Sequence, residues 1–541
     1  MLQNPILRGF NADPSICKKN DDYYLAVSSF EWYPAMPIYH SKDLKNWELV
    51  SHGLDNDRVL ELTRVESAKG IWAPDLTYCE AEDKFYLTYS MMHAMNSVFF
   101  DVDNFFVTAD NIEGPWSDPV YLHSAGFDAS TFHDDDGRKW IVSLEWESRE
   151  GYERPGAICL CEFDTETGKV IGYPKRVWTG GTDRGCIEGP HIYKRNGWYY
   201  IMCAEGGTGY GHCVTIGRSK NIWGPYEKDP CNPIVTSCPT EFYERHIIDY
   251  LKSHHYNKDS VIQKSGHASF VETDLGEVYL VHLTSRPMLP ELRCVRGRET
   301  GMQKMMWTED GWLRMASGGN VALEYFEESK LPEVPVRKIP EKEYFTGELE
   351  KNWYAPRISC QEFAKVEDGE LVLRGNQSLC SHHKVSLLAK KLDSLRCVIE
   401  TKVKFTPEVY QHSAGLAMYY DNMSYLLFRK YYSETLESEA LGVLHLENGE
   451  RKEWIEDRIP YTQEDVTLRF ELDGRFMHLS YSADGENFTP FGRRVDVTIF
   501  SDEYSNYGEF TGAFVGLACV DGMLHTKEAK FSYFEKKVFE Y

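Results

Sequence analysis

Three carboxylic acids stand out in this chain because each opens a copy of the same short phrase. Asp13 begins Asp13-Pro14-Ser15-Ile16, Asp128 begins Asp128-Ala129-Ser130-Thr131, and Glu188 begins Glu188-Gly189-Pro190-His191. Two further copies begin Trp72-Ala73-Pro74-Asp75 and His267-Ala268-Ser269-Phe270. If the five openings converge on one pocket, one acid can hold a proton for a departing oxygen while a carboxylate handles the carbon it leaves. Glycosidic bond cleavage needs that pair. A third acid beside them raises the donor's pKa by like-charge repulsion and orients it. Glu188, the longest of the three side chains, suits the proton donor. The rings of Phe30, Trp32 and Trp72 match the apolar faces of sugars, and His267 and Arg298 can donate to hydroxyls.

Convergence requires a repeated fold. Each opening runs through a polar or glycine-containing turn into an aromatic strand: Tyr23-Tyr24-Leu25, Phe85-Tyr86-Leu87, Trp140-Ile141-Val142, Trp198-Tyr199-Tyr200-Ile201 and Val278-Tyr279-Leu280. The openings are spaced by 59, 56, 60 and 79 residues. A β-rich repeat of that length predicts one propeller blade per copy, with the first strand of each blade lining the central channel. The turns Ser41–Trp47, Ala109–Trp116 and Ser219–Tyr226 close the outer part of their blades with Asp, Asn, Gly and Pro. The long fifth step predicts a rim insertion over Glu241–Ile262, with a short helix near Glu241 to Leu251. Three prolines among charges from Leu331 to Pro340 read as a stiff connector. Beyond it, alternating runs such as Cys397–Phe405 and Ser424–Arg429 predict an antiparallel β-sandwich. The expected fold is therefore all-β, a five-bladed β-propeller over 1–325, a linker over 326–343 and a β-sandwich domain over 344–541.

Composition narrows the partners. The formal charge of −25 argues against nucleic acid or an anionic membrane surface, because phosphates repel such a surface. No apolar run reaches the roughly 20 residues of a membrane span. The N-terminus lacks a basic region and an apolar core, and the 14 cysteines show no zinc spacing and no dense disulfide framework. Reduced thiols in a cytoplasm are the expectation. Cys186, near Glu188, reads as packing rather than as a nucleophile, since no motif supplies it a base.

At these residues the chain resembles glycoside hydrolase family 43, specifically its two-domain β-xylosidases. The matching segments include Gly9–Ile16, Tyr39–Trp47, Gly126–Ser130, Glu188–His191, Glu205–Thr208, Gly266–Ser269, His282–Pro287 and Gly297–Thr300. In the second domain they are Gln411–Leu416 and Phe510–Gly516. The resemblance implies a concanavalin-like sandwich, Asp13 as general base, Glu188 as general acid and Asp128 as modulator of the acid. It implies inversion at the anomeric carbon, and hence a carboxyl separation of roughly 6.5–9.5 Å between Asp13 and Glu188. Phe30, Trp72, His267 and Arg298 would line the sugar pocket, and Phe510 would close it from the sandwich. Closure favours exo-hydrolysis of β-1,4-xylo-oligosaccharides, with α-L-arabinofuranosidase activity as the close rival. A non-catalytic sugar-binding propeller would lack one of the acids. A retaining fructan-cleaving propeller would need a Trp-Met-Asn-Asp-Pro-Asn opening, which Asn11-Ala12-Asp13-Pro14-Ser15 does not match.

No cofactor is expected to be required. Some relatives carry Ca²⁺ in the channel near the counterpart of His267, but no carboxylate cage accompanies that residue here. Relatives of this kind are often dimers or tetramers, which the resemblance carries over as an expectation. The chain departs from the pattern at Ala12, where many relatives have Pro, and in the Glu241–Ile262 insertion with Arg245, His254 and His255. Both departures bear on the pocket rim.

Overall fold

A computed structural model describes residues 1–55, 59–147, 149, 151, 156–240 and 251–539. Within them five antiparallel sheets follow one another along the chain, each with its strands in sequence order. Their first strands are Ser15–Lys19, Gly70–Cys79, Phe127–His133, Glu188–Arg195 and Gln263–Glu272. This is the five-bladed propeller. The middle strands, such as Lys139–Glu145, are buried on both faces, so they read as near-continuous apolar runs bounded by turns. Each blade shares a hydrophobic core with the next. Leu76 and Leu87 pack with Ile38 between blades one and two, Ile141 packs with Tyr86 between two and three, and Val142 packs with Ile201 between three and four. Met202 with Leu280, then Val281 with Leu25, complete the circle.

Polar side chains lock the ring at its axis. Ser15, Asp75, Ser130, His191 and Ser269 are all buried and stand at matching points on the five inner strands. The Ser15 hydroxyl donates to Asp75 Oδ1 over 3.2 Å, Asp75 Oδ2 accepts from the Thr131 amide at 2.9 Å, and His191 Nδ1 lies 3.1 Å from Asp75 Oδ1. Ser130 donates to the Pro190 carbonyl at 2.6 Å, and the Ile16 amide donates to Ser269 Oγ at 2.7 Å. Every blade is thus tied to a neighbour by a hydrogen bond that its burial requires. The N-terminal segment closes the circle by pairing Leu2–Gln3 with Tyr325–Phe326.

The expected turns form. In the first, Asp43 Oδ1 accepts the amides of Lys45 and Asn46, both at 2.8 Å. The proline-rich connector is anchored there as well, since the Val334 amide donates to Asp43 Oδ2 at 2.8 Å. The insertion expected over Glu241–Ile262 is described only from Leu251 onward. The short helix near Glu241 to Leu251 and Arg245 lie outside the described residues, and His254 and His255 sit in a single 3₁₀ turn, Ser253–His255.

Two sheets form the sandwich, one of which covers the propeller. Period-2 alternation explains how it serves two cores at once. Leu388, Leu416, Met418, Leu426 and Phe428 face the sandwich interior, whereas Leu387, Ala389, Ala417, Tyr419 and Leu427 face the propeller. Trp32 belongs to this second set. It is 1% exposed and stacks on Phe514 with ring centres 3.7 Å apart, beside the pairing of Trp32–Tyr33 with Ala355–Pro356. Its expected place against a sugar is therefore corrected: it is interdomain core. An apolar interface of this kind holds two domains as one unit.

Candidate active site

The three acids do converge. Asp13, Asp128 and Glu188 line one cavity of about 610 Å³, together with Phe30, Trp72, His267, Arg298 and, from the sandwich, Phe510. The repeat that brings them there carries a correction of register. Two residues before the buried polar ring residues, each inner strand or its entry has a residue with positive φ: Asp13 (53°), Ala73 (39°), Asp128 (53°), Gly189 (55°) and His267 (45°). In blades two to five the strand pairing slips at this point, as a β-bulge does. The positions equivalent to Asp13 are therefore Ala73 and Gly189, not Trp72 and Glu188. Two of the five equivalent positions are acids. Glu188 sits one residue earlier, in the slot that Trp72 and Phe127 occupy in blades two and three.

This offset gives the acids different surroundings. Asp13 Oδ2 accepts from the Ser28 hydroxyl at 2.6 Å, and Ser28 Oγ in turn accepts the Ala73 amide at 2.8 Å. Asp128 Oδ2 accepts the Gly189 amide at 3.0 Å. Glycine suits the position: a Cβ on Gly189 would stand 2.9 Å from the His267 ring, which would have to shift. Glu188 makes no such bond through Oε1, which is buried without a hydrogen-bond partner. His212 Nε2 lies 3.9 Å from it. The other ring nitrogen of His212 donates to the Lys264 carbonyl at 3.0 Å, and burial holds this imidazole well below its usual pKa. A neutral acceptor therefore faces the carboxyl.

Electrostatics follows from that geometry. Desolvation, then the charge of Asp13, pushes Glu188 up to about 8, against a smaller opposing pull from Arg298 and Lys252. Asp128 is likewise raised, by burial first and then by Glu188 and Asp13. With its pKa at about 8, Glu188 keeps its proton at neutral pH. His267, with Nδ1 3.7 Å from Asp13 Oδ1, is lowered to about 4 by burial and stays neutral.

Aromatic rings build the walls. Trp72 meets Phe30 at 5.8 Å, Phe127 at 5.6 Å and Phe510 at 5.7 Å between ring centres. A second set, Phe127, Phe100 and Trp146, continues outward with centres about 6 Å apart. Arg298 lies with its guanidinium 4.4 Å from the Phe510 ring and donates to Thr208 Oγ1 at 2.8 Å. Sequence reasoning left His212, Ser28, Phe100, Phe127, Trp146 and Lys252 unassigned. Phe127 alone carried a signal, because it precedes Asp128 as Trp72 precedes Ala73. Cys186 also lines the cavity. Among the described residues no three His, Cys, Asp or Glu side chains gather as a metal site would require.

A propeller with three buried acids over an aromatic pocket has the composition of a sugar-cleaving site, and comparison with known proteins agrees. Residues 2–313 match glycosyl hydrolases family 43, and residues 341–537 match the β-xylosidase C-terminal concanavalin A-like domain. The chain belongs to glycoside hydrolase family 43 and is a glycoside hydrolase. It is 40% identical to a xylosidase/arabinosidase 43B of Humicola insolens, over 98% of this chain and 97% of that one. It is 36% identical to a β-xylosidase of Bacillus subtilis, over 99% of each. A crystal structure of xylan β-1,4-xylosidase from Bacillus halodurans superposes with a TM-score of 0.93 at 42% identity, covering 99% of this chain and all of the other.

Proposed function

We propose that this glycoside hydrolase is an inverting exo-β-xylosidase that releases xylose from the non-reducing end of β-1,4-xylo-oligosaccharides. The observation that carries the reading is the pairing of a protonated Glu188 with Asp13 in one pocket closed by Phe510. Asp13, hydrogen-bonded by Ser28, takes a proton from a water whose oxygen bonds to the anomeric carbon. The bond from that carbon to the glycosidic oxygen breaks as Glu188 gives its proton to that oxygen. Asp128, held by the Gly189 amide, is the third acid of the pocket and orients Glu188, while the charge that favours the protonated form of Glu188 is that of Asp13. Phe30, Trp72 and Phe510 pack on the sugar, while Arg298 and His267 contact its hydroxyls. No metal enters this scheme.

The second reading, α-L-arabinofuranosidase activity, is supported by the relatives named for both activities. Initial rates on aryl β-D-xylopyranoside and aryl α-L-arabinofuranoside, with and without chelator, separate the two. Proton NMR of the first-formed sugar reads the stereochemistry. Appearance of the α-anomer from a β-xyloside is the expected result, and first-formed β-xylose would refute inversion.

A further inference from the structure

We propose that Asp502, a residue of the sandwich, is the positioning residue for Arg298, so that the second domain sets the pocket's cationic wall as well as closing it. The proposal rests on the reading of Arg298 as a sugar contact. Arg298 is 2% exposed and shares its cavity with three carboxyls. A guanidinium in such company tends to fold onto the nearest carboxylate and neutralise it. Something must hold it to the wall.

Thr208 and the Phe510 ring account for one end and one face of the group. Its Nε is buried without a hydrogen-bond partner, and Asp502 Oδ2 is buried in the same condition. These two atoms of opposite charge face each other at 3.7 Å. Asp502 is itself 2% exposed, and its other oxygen accepts the Tyr420 hydroxyl, which ties the carboxylate to the sandwich core. Its neighbour Glu503 repeats the arrangement. Glu503 Oε1 lies 2.6 Å from Lys264 Nζ, and Oε2 accepts the Cys294 amide at 2.8 Å. The return of the loop is fixed as firmly. The Ala513 amide donates to the Val295 carbonyl at 3.0 Å, and a Cβ on Gly297 would stand 1.9 Å from the Thr511 carbonyl oxygen. The acidic pair, Phe510 and the backbone stitch therefore act on residues 294–298 of the propeller as one clamp.

The groups facing Arg298 are Asp502 of the sandwich and, from the propeller, Lys264, Glu188, His212 and His267. Without the Asp502 charge the guanidinium is drawn toward the pocket acids. Glu188 then ionises at lower pH and the sugar loses its donor.

A double-mutant cycle tests this. D502N is expected to lower kcat/KM about tenfold and to move the alkaline limb of its pH profile to lower pH. Beside R298A the same substitution is expected to change neither. An equal fold-loss in both backgrounds, or unchanged kcat/KM in the D502N single variant, would overturn the proposal. D502E, which keeps the charge and shifts it by one methylene, goes through the same cycle, with an expected loss of about threefold that again vanishes beside R298A. A D502N protein that does not fold thus leaves the test standing. An inactive wild type on both aryl glycosides would instead sink the functional reading, whereas an active wild type with an additive cycle sinks only the positioning role.

Discussion

Glu188 should make this protein less stable than it would be with a neutral side chain in its place, and by an amount that depends on pH. Its carboxyl is raised from 4.5 to about 8 by burial and by Asp13, so between those values the folded protein holds a proton that the unfolded chain has lost. Stability therefore falls as pH rises through that window, and the loss is complete above pH 8. E188Q removes the term while keeping the shape of the protonated side chain. At pH 7 the difference comes to about 3 kcal/mol in favour of E188Q, growing by about 1.4 kcal/mol per pH unit from pH 5 and levelling near 5 kcal/mol above pH 8. The assay is calorimetry of both proteins at half-unit steps from pH 4 to 9. The transition of E188Q is expected several degrees above wild type at pH 7 and coincident with it at pH 4. Parallel transition temperatures across the range would show that Glu188 ionises as an ordinary carboxyl, and the assignment of the proton donor would fall with it.

Four further outcomes follow from the same geometry. The alkaline limb of kcat/KM is expected near pH 8, because activity needs protonated Glu188 and is lost as pH rises through its pKa; a limb unmoved in E188Q with residual activity would place that proton elsewhere. D13N should cut turnover of aryl and natural xylosides alike, by roughly 10³-fold or more, whereas E188A should spare substrates with good leaving groups, a split read by comparing nitrophenyl xyloside with xylobiose. G189A forces a methyl to within 2.9 Å of His267 at an unfavourable φ and should cost about 1–3 kcal/mol in a thermal melt, with a loss of kcat as Asp128 shifts. F510A should raise KM more than it lowers kcat, because it opens the pocket and removes the face on which Arg298 lies 4.4 Å away.

The parts of the fold that were legible are those whose signal is local. Each blade announces itself by a turn and an aromatic strand, three of them also by a polar closing turn, and the sandwich by strict alternation, so the architecture needed no knowledge of distant contacts. Residue type alone could not separate Trp32 from Trp72. Both are large aromatics next to strand openings, and only the packing of Phe514, nearly five hundred residues on, makes one of them interdomain core. Asp502 and His212 were hidden for the same reason, since each acts on a residue of another element through space.

The misplaced register is more instructive, because its signal was present. Pro14, Pro74 and Pro190, with Ala129 and Ala268 in the other two copies, mark the residue after each positive-φ turn. Aligning the copies on that column rather than on the first acid puts Ala73 and Gly189 opposite Asp13. One residue of slip turns a side chain to the other side of its strand, and here the slip gives Glu188 hydrogen-bond surroundings different from those of Asp13 and Asp128. At the turn position, Asp13 and Asp128 meet donors, from Ser28 and from the Gly189 amide. One residue earlier, Glu188 meets no donor at Oε1 and faces a neutral imidazole. A ring with an acid at every equivalent position would offer five similar environments. Breaking the repeat at blade four lets one fold hold a carboxylate and a carboxylic acid in the same pocket at the same pH. The glycine left in the vacated position gives its amide to Asp128 and makes room for His267, so the departure from symmetry serves all four groups at once.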